Sequence, residues 1–178
     1  MKYYQLLFLV MLLLSSVTSF AEESDKHVYF TIRSGQGGFT DARSDIGNLG
    51  GGQLTLDVRL TKYPLALSLS GEYYTNSPDP THSYEIASMA VLNLLYMKKL
   101  SRRVNLFSGG GICLLKVPDN AGGYENGFGI DAELGINVIV FWKLGIYGMY
   151  RYLYANDDGI IDFNEHIGML GITFNFGV

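Results

Sequence analysis

The segment 53–61 alternates apolar and polar side chains without a break, and this pattern constrains the fold more than any other feature. Leucine or valine occupies every even position from 54 to 60, and polar residues occupy the odd positions. Strict two-residue periodicity is typical of a β-strand with one apolar and one polar face. Such a strand fits a soluble sandwich or lipocalin-like barrel if the apolar face points inward. It fits a membrane barrel if that face meets lipid.

The N-terminal residues predict export. Lys2 precedes an apolar run over 6–14, and Ser19-Phe20-Ala21 places small residues at the −3 and −1 positions of a cleavage site. This is the pattern of a secretory signal peptide, and the apolar run is too short to span a membrane as a helix. We therefore expect a signal peptide over 1–21 and one mature domain over 22–178.

The composition narrows the possible function classes. Of the 178 residues, 48% are hydrophobic, 13% are aromatic and only 17% are charged. No apolar run after the signal peptide reaches the length of a membrane helix, which excludes a helical membrane protein. The net charge of −4 gives no support to nucleic-acid binding. The single cysteine, Cys113, cannot form an internal disulfide.

Eight segments have the alternation or composition of strands. They are 27–34, 53–61, 65–74, 84–96, 104–116, 128–141, 144–154 and 166–176. Short connections follow the second, fourth and sixth segments. Long polar connections follow the first, third, fifth and seventh, at 34–52, 75–83, 117–127 and 155–165. An even number of strands with alternating short turns and long loops is typical of outer-membrane barrels. The sequence thus predicts an all-β, eight-stranded antiparallel up-and-down transmembrane barrel, with short periplasmic turns and longer extracellular loops.

Aromatic residues near the strand ends favour lipid on the outside. The predicted girdles are Tyr63, Tyr96, Trp142 and Phe176 at the short turns, and Tyr73, Tyr84, Tyr152 and Tyr154 at the long loops. Two aromatic girdles at the membrane interfaces are a feature of transmembrane barrels, and a lipocalin-like barrel does not require them.

Charged residues recur on the strand faces opposite the apolar rows. They are Arg33, Asp57, Arg59, Glu72, Glu85, Asp131, Glu133 and Arg151. An eight-stranded barrel is just wide enough for side chains to fill it, so charges in its lumen must pair. We expect Arg151 to pair with Glu133. We also expect Glu72 and Glu85, at about one level, to need Arg33 or Arg59 between them, or one of the two to hold a proton. The predicted result is a network of salt bridges that plugs the lumen.

One strand could not be oriented from its sequence. The segment 104–116 contains Gly109, Gly110 and Gly111, and its facing is left open. Glycine in a strand often marks a close approach of neighbouring groups. We therefore expect these glycines to make room for bulky side chains in the lumen.

The segment from Gly168 to Gly177 resembles the last strand of the OmpA-type transmembrane barrel. Gly171, Phe174 and Phe176 fit the Gly-x-x-aromatic-x-aromatic pattern by which the barrel-assembly machinery recognises outer-membrane proteins, although Phe176 is not the last residue. Leu170 also occupies a position that is usually polar. In architecture the mature chain is similar to the small OmpA/OmpX-like barrels. The resemblance implies a Gram-negative outer membrane, with lipid, lipopolysaccharide and the assembly machinery as partners, and host or surface ligands for the loops.

Some small outer-membrane barrels are lipid A deacylases, which use a His-x-Ser pair and a carboxylate. None of His27, His82 and His166 has a serine two residues further on, so no catalytic residue is predicted. The acidic residues over 156–162 lack the spacing of an EF-hand, and the glycine clusters lack the partners of a phosphate loop, so no metal and no cofactor are predicted. The sequence favours a non-enzymatic barrel with a structural or surface-interaction role. A lipid A-modifying enzyme and a narrow channel or small-ligand carrier are the alternatives.

Overall fold

The computed structural model describes residues 28–41, 49–60, 62–75, 85–118, 124–157 and 161–177. The strands are β1 (Val28–Asp41), β2 (Leu49–Leu60), β3 (Leu65–Thr75), β4 (Glu85–Lys99), β5 (Val104–Pro118), β6 (Tyr124–Phe141), β7 (Leu144–Asp157) and β8 (Ile161–Gly177). They form one closed barrel in sequence order, with every neighbouring pair antiparallel. The predicted fold class is confirmed. The predicted signal peptide, Tyr84, His27 and His82 lie outside the described residues.

Several strands are longer than the sequence predicts, and the predicted loops are correspondingly too long. The clearest case is 34–52, where Gly35 pairs with Gln53 and Gly38 pairs with Gly50. Glycine weakens a strand because it has no side chain to pack. In a closed barrel, however, β1 is hydrogen-bonded to a strand on both sides, and its glycine-rich half remains in the sheet. The predicted loops 117–127 and 155–165 are shortened in the same way.

The connection between β6 and β7 is the two-residue turn predicted at Trp142 and Lys143. Trp142 has a φ of 48°. Two-residue hairpin turns use residues with positive φ, a conformation that is uncommon for a bulky side chain. The Trp142 ring is exposed and lies edge-on to Phe174, with the ring centroids 6.4 Å apart.

The two faces of the barrel wall differ in polarity. Along β3, for example, exposed and buried residues alternate, with Leu67 and Leu69 exposed and Ser68 and Ser70 buried. The same alternation holds around the barrel: exposed leucines and isoleucines cover the outside, and charged and polar residues are buried inside together with a cluster of apolar ones. An apolar outer face and a polar interior suit a barrel that is surrounded by lipid. Among the described residues there is no helix long and apolar enough to cross a membrane.

The structure also orients β5. Phe107, Cys113 and Leu115 are buried and point inward, while Ile112 and Leu114 are exposed on the outer face. By the same alternation, two of the three consecutive glycines, at positions 109 and 111, lie on the inner face.

Candidate functional site

Arg33 on β1 lies at one side of a charged cluster in the barrel interior. Its guanidinium contacts Asp57 of β2 twice, with Nε 2.9 Å from Oδ2 and Nη2 2.9 Å from Oδ1. Nη2 is also 3.3 Å from Oε1 of Glu133, which lies on β6. The guanidinium carbon is 4.6 Å from the centroid of the Phe107 ring. Arg33 is only 1% exposed, so its charge is held by carboxylates and an aromatic face instead of bulk water.

Arg151 on β7 organises the other side of the cluster. It lies directly opposite Glu133 in the sheet, and Nη2 is 3.1 Å from Glu133 Oε2. Nη1 lies 2.5 Å from Oε1 of Glu72, and Nε lies 3.3 Å from Oδ2 of Asp131. Glu133 therefore bridges the two arginines, since one of its oxygens contacts Arg33 and the other contacts Arg151.

Neutral side chains complete the hydrogen bonding of the carboxylates. The hydroxyl of Ser70 donates to Glu72 Oε1 over 3.0 Å, and the hydroxyl of Tyr74 donates to Glu72 Oε2 over 2.7 Å. The amide of Asn93 on β4 donates to Asp131 Oδ2 over 2.8 Å. Hydrogen bonds to a charged acceptor are stronger than neutral ones, so these donors offset part of the cost of burial.

Glycines on the inner face leave room for the large side chains. A Cβ atom at Gly111 would overlap Oδ1 of Asn93, and one at Gly135 would overlap the ring of Phe107. Gly111 is paired with Asn93 on one side and with Asp131 on the other. Because Gly111 has no side chain, the Asn93 amide reaches across β5 to Asp131. The expected role of the β5 glycines is thus visible in the packing.

The remaining two predicted lumen charges are Arg59, which lies outside this cluster, and Glu85. Arg59 is half-buried, stacks 5.2 Å over the Tyr29 ring, and makes no ion pair with a described residue. Glu85 pairs with Thr75 in the sheet, whereas Glu72 pairs with Met89. The predicted common level of Glu72 and Glu85 is wrong, because Glu85 lies opposite Thr75, three residues along β3 from Glu72. The side chain of Glu85 lies outside the described residues.

The predicted lumen network did not include several polar residues that are buried in the structure. Glu165 is 2% exposed in β8, but it falls in a segment predicted to be a loop. Nearer the short turns, Thr173 donates to Asn137 over 2.9 Å, and Thr31 donates to Asn175 over 2.9 Å. Their position in the alternation could have placed these residues inside, but it could not have paired them.

On the outer face, the predicted girdle residues that the structure describes lie at the lipid side. Tyr63, Tyr73, Tyr96, Trp142 and Tyr154 are exposed, and Tyr152 and Phe176 are half-buried. His166 is also on this face, hydrogen-bonded through Nδ1 to the hydroxyl of Tyr150. Within the described ranges, no group of three or more His, Cys, Asp or Glu side chains is placed to hold a metal ion.

The residues of the predicted assembly signal lie on the two faces of β8. Gly171 is on the inner side, where a Cβ atom would overlap the Ser34 carbonyl and approach the ring of Tyr147. Phe174 and Phe176 lie on the outer side, and Phe176 stacks on Phe30 of β1 with ring centroids 5.2 Å apart.

A closed eight-stranded antiparallel barrel with an apolar exterior and a charged interior is the architecture of the small outer-membrane proteins. The structure is similar to that of Neisserial surface protein A, at 15% identity with a TM-score of 0.59, covering 85% of this chain and 97% of that one. It is also similar to the N-terminal β-barrel domain of Pseudomonas aeruginosa OprF, at 13% identity with a TM-score of 0.58, covering 85% and 98%.

A third similar structure is Ail, the attachment invasion locus protein of Yersinia pestis, in complex with the heparin analogue sucrose octasulfate. The identity is 14% and the TM-score is 0.55, covering 86% of this chain and 100% of that one. No protein-family model matches the chain, and no curated protein sequence matches it. The shared fold confirms the predicted resemblance of this chain to the small outer-membrane barrels.

Proposed function

We propose that the protein is a non-enzymatic outer-membrane barrel whose lumen is closed by the charged cluster and whose outer loops contact partners at the cell surface. The observation that carries this proposal is a continuous series of ion pairs across the barrel. It runs from Asp57 to Arg33, Glu133, Arg151 and Glu72. These residues belong to β2, β1, β6, β7 and β3, so the series joins opposite sides of the wall.

The burial of these side chains supports a closed lumen. Arg33 and Arg151 are each 1% exposed, and Phe107, Tyr147 and Met149 are buried beside them on the inner face. An eight-stranded barrel has little interior volume beyond what side chains occupy. This interior therefore does not support a wide, permanent aqueous pore.

Planar-bilayer recordings test the closed lumen. We expect the wild-type protein to show small and rare conductance events. Arg151→Met removes the charge that holds three carboxylates, and we expect it to raise the frequency of open events. Arg59→Met is the matched control, because Arg59 is an inward arginine outside the series of ion pairs, and it should leave the recordings unchanged. A large and steady wild-type conductance would contradict the proposal and favour a channel.

Analysis of lipid A tests the non-enzymatic part of the proposal. His166 is the only histidine among the described residues. It lies on the outer face and forms a hydrogen bond with Tyr150. We expect the mass spectrum of lipid A to be the same in cells with and without overexpression of the protein. If overexpression removes or adds an acyl chain, and His166→Gln or His82→Gln abolishes that change, the protein is an enzyme instead.

The charged residues of the segments that connect the strands indicate which charge a partner of the outer loops carries. The segments 42–48, 76–84, 119–123 and 158–160 contain one arginine, Arg43, and four aspartates, Asp45, Asp79, Asp119 and Asp158. An acidic surface attracts cationic partners and repels polyanions. Although Ail was crystallised with a heparin analogue, we expect this protein to pass through a heparin column at low salt. Retention that salt reverses would contradict this, and Asp45→Lys with Asp79→Lys should increase retention and so serve as the positive control.

A further inference from the structure

The charged cluster contains more negative than positive groups. Four carboxylates, those of Asp57, Glu72, Asp131 and Glu133, form ion pairs with only two guanidiniums, those of Arg33 and Arg151. Each of these six residues is at most 7% exposed. No other basic side chain among the described residues is within ion-pair distance of them. With all groups ionised, the cluster carries two uncompensated negative charges, and buried charge without a counter-charge is strongly destabilising.

Two buried oxygen atoms at the edge of the cluster lack a hydrogen-bond donor. Oδ1 of Asp131 and Oδ1 of Asn93 have no hydrogen-bond partner among the described residues. Asp131 and Asn93 are 7% and 2% exposed, and they are joined through their other atoms, with Asn93 Nδ2 2.8 Å from Asp131 Oδ2. Both unpartnered atoms are acceptors, and they belong to two residues in direct contact. By contrast, Glu72 accepts two hydroxyl bonds besides its ion pair, and both oxygens of Asp57 contact Arg33.

We infer that Asp131 and Asn93 hold a monovalent alkali cation, bound by the Oδ1 atoms of the two residues. A carboxylate and an amide oxygen are hard ligands that suit such an ion. A water molecule can donate hydrogen bonds to both oxygens, but it supplies no charge to a cluster that is two charges short. Calcium takes six to eight oxygen ligands and magnesium demands a near-ideal octahedron. The proposed site offers a single negatively charged ligand, which matches one positive charge, and water supplies the remaining ligands of the ion.

The site is built by three adjacent strands. Gly111 on β5 lies between Asn93 on β4 and Asp131 on β6, and a Cβ atom there would overlap Asn93 Oδ1. Glycine at this position therefore leaves the amide oxygen in place beside the aspartate. This role is separate from closure of the lumen, because an ion at Asp131 offsets one of the two excess negative charges whether or not the barrel conducts.

Anomalous scattering from crystals grown or soaked in rubidium chloride tests the site directly. We expect a rubidium peak in contact with Oδ1 of Asp131 and Oδ1 of Asn93. Asp131→Asn and Asn93→Leu should each abolish the peak. Asp57→Asn is the matched control, because it removes a carboxylate from the same cluster without touching the site, and the peak should remain. The absence of rubidium density at Asp131 in the wild type would overturn the inference, and water alone would then occupy the site.

Thermal unfolding of the refolded protein in detergent gives a second readout. A ligand that binds only the folded state raises the melting temperature with the logarithm of its concentration. At constant ionic strength, we expect the wild type to melt at a higher temperature in potassium or rubidium chloride than in choline chloride, whose cation is too large for the site. The difference should vanish in Asn93→Leu and persist in Asp57→Asn. Equal melting temperatures in all salts would count against the ion.

Discussion

At the scale of the residue, the inner face is sensitive to single atoms because its side chains are closely packed. The glycines illustrate this within one strand. Gly171 faces inward, where a Cβ atom would overlap the Ser34 carbonyl and the Tyr147 ring. Gly168 faces outward, and a Cβ atom there would meet nothing within 4 Å. The same residue type on the same strand thus has two different structural roles.

We predict opposite outcomes for alanine at these two positions. Gly171→Ala should destabilise the barrel by about 1–3 kcal/mol, the usual cost of overpacking, since the backbone of β1 has to move. Gly168→Ala should be neutral or slightly stabilising, because alanine restricts the unfolded chain. Urea unfolding in detergent measures both. Equal stabilities for the two variants would mean that the inner face is looser than the structure indicates.

Also at this scale, the alternation in the sequence was sufficient to assign side chains to faces but not to pair them. The predicted partners Glu133 and Arg151 lie directly opposite because both flank one short turn. The contact between Arg33 and Glu133 joins residues 100 positions apart across the lumen. That contact depends on the register of all the intervening strands, and no local pattern in the sequence carries it.

At the scale of the element, each strand presents a row of apolar side chains to lipid, and the position along the row sets the cost of a charge. In β3, Leu65 is the first residue and Leu69 lies near the middle of the strand, and both are exposed on the outer face. We predict that Leu69→Arg costs about 2–4 kcal/mol and that Leu65→Arg costs about 0–1 kcal/mol, following the depth dependence known for such barrels. Reversible unfolding from lipid vesicles measures the difference. Equal losses of stability would show that the middle of β3 does not lie deeper in the membrane than its first residue.

The last strand permits a separate test of its predicted assembly role. Phe176 on β8 and Phe30 on β1 stack on each other. Phe176→Ala and Phe30→Ala remove the same contact, so we expect similar losses of stability in the refolded protein. Only Phe176→Ala alters the predicted recognition pattern, so only this variant should lower the amount of barrel assembled in cells. Surface labelling of intact cells measures assembly, and equal losses for both variants would show that stability alone explains the effect.

Strand ends were the part of the fold that the sequence predicted least well. Glycine, serine and aspartate between positions 34 and 52 have the composition of a loop, yet β1 and β2 remain paired as far as Phe39 and Leu49. Local composition indicates only the conformation that a segment prefers in isolation. Closure of the barrel gives each strand two hydrogen-bonded neighbours, and this tertiary constraint extends the strands beyond the local preference.

At the scale of the whole molecule, the charged cluster ties together strands that are far apart in the sequence. Arg151 on β7 contacts Glu72 on β3, so removal of either residue affects both sides of the barrel. Breaking a buried ion pair is more costly than replacing both partners, because the remaining charge stays buried without compensation. The cluster is therefore expected to behave as a unit.

A double-mutant cycle tests this coupling. We predict that Arg151→Ala lowers the free energy of unfolding by about 3–5 kcal/mol, since it leaves several carboxylates without their counter-charge. Adding Glu72→Ala should recover part of that loss, because the second change removes one of the stranded charges. The control cycle pairs Arg151→Ala with Arg59→Ala, which lies outside the cluster, and its energies should add. A coupling near zero between Arg151 and Glu72 would show that the barrel interior is solvated and that its charges act independently.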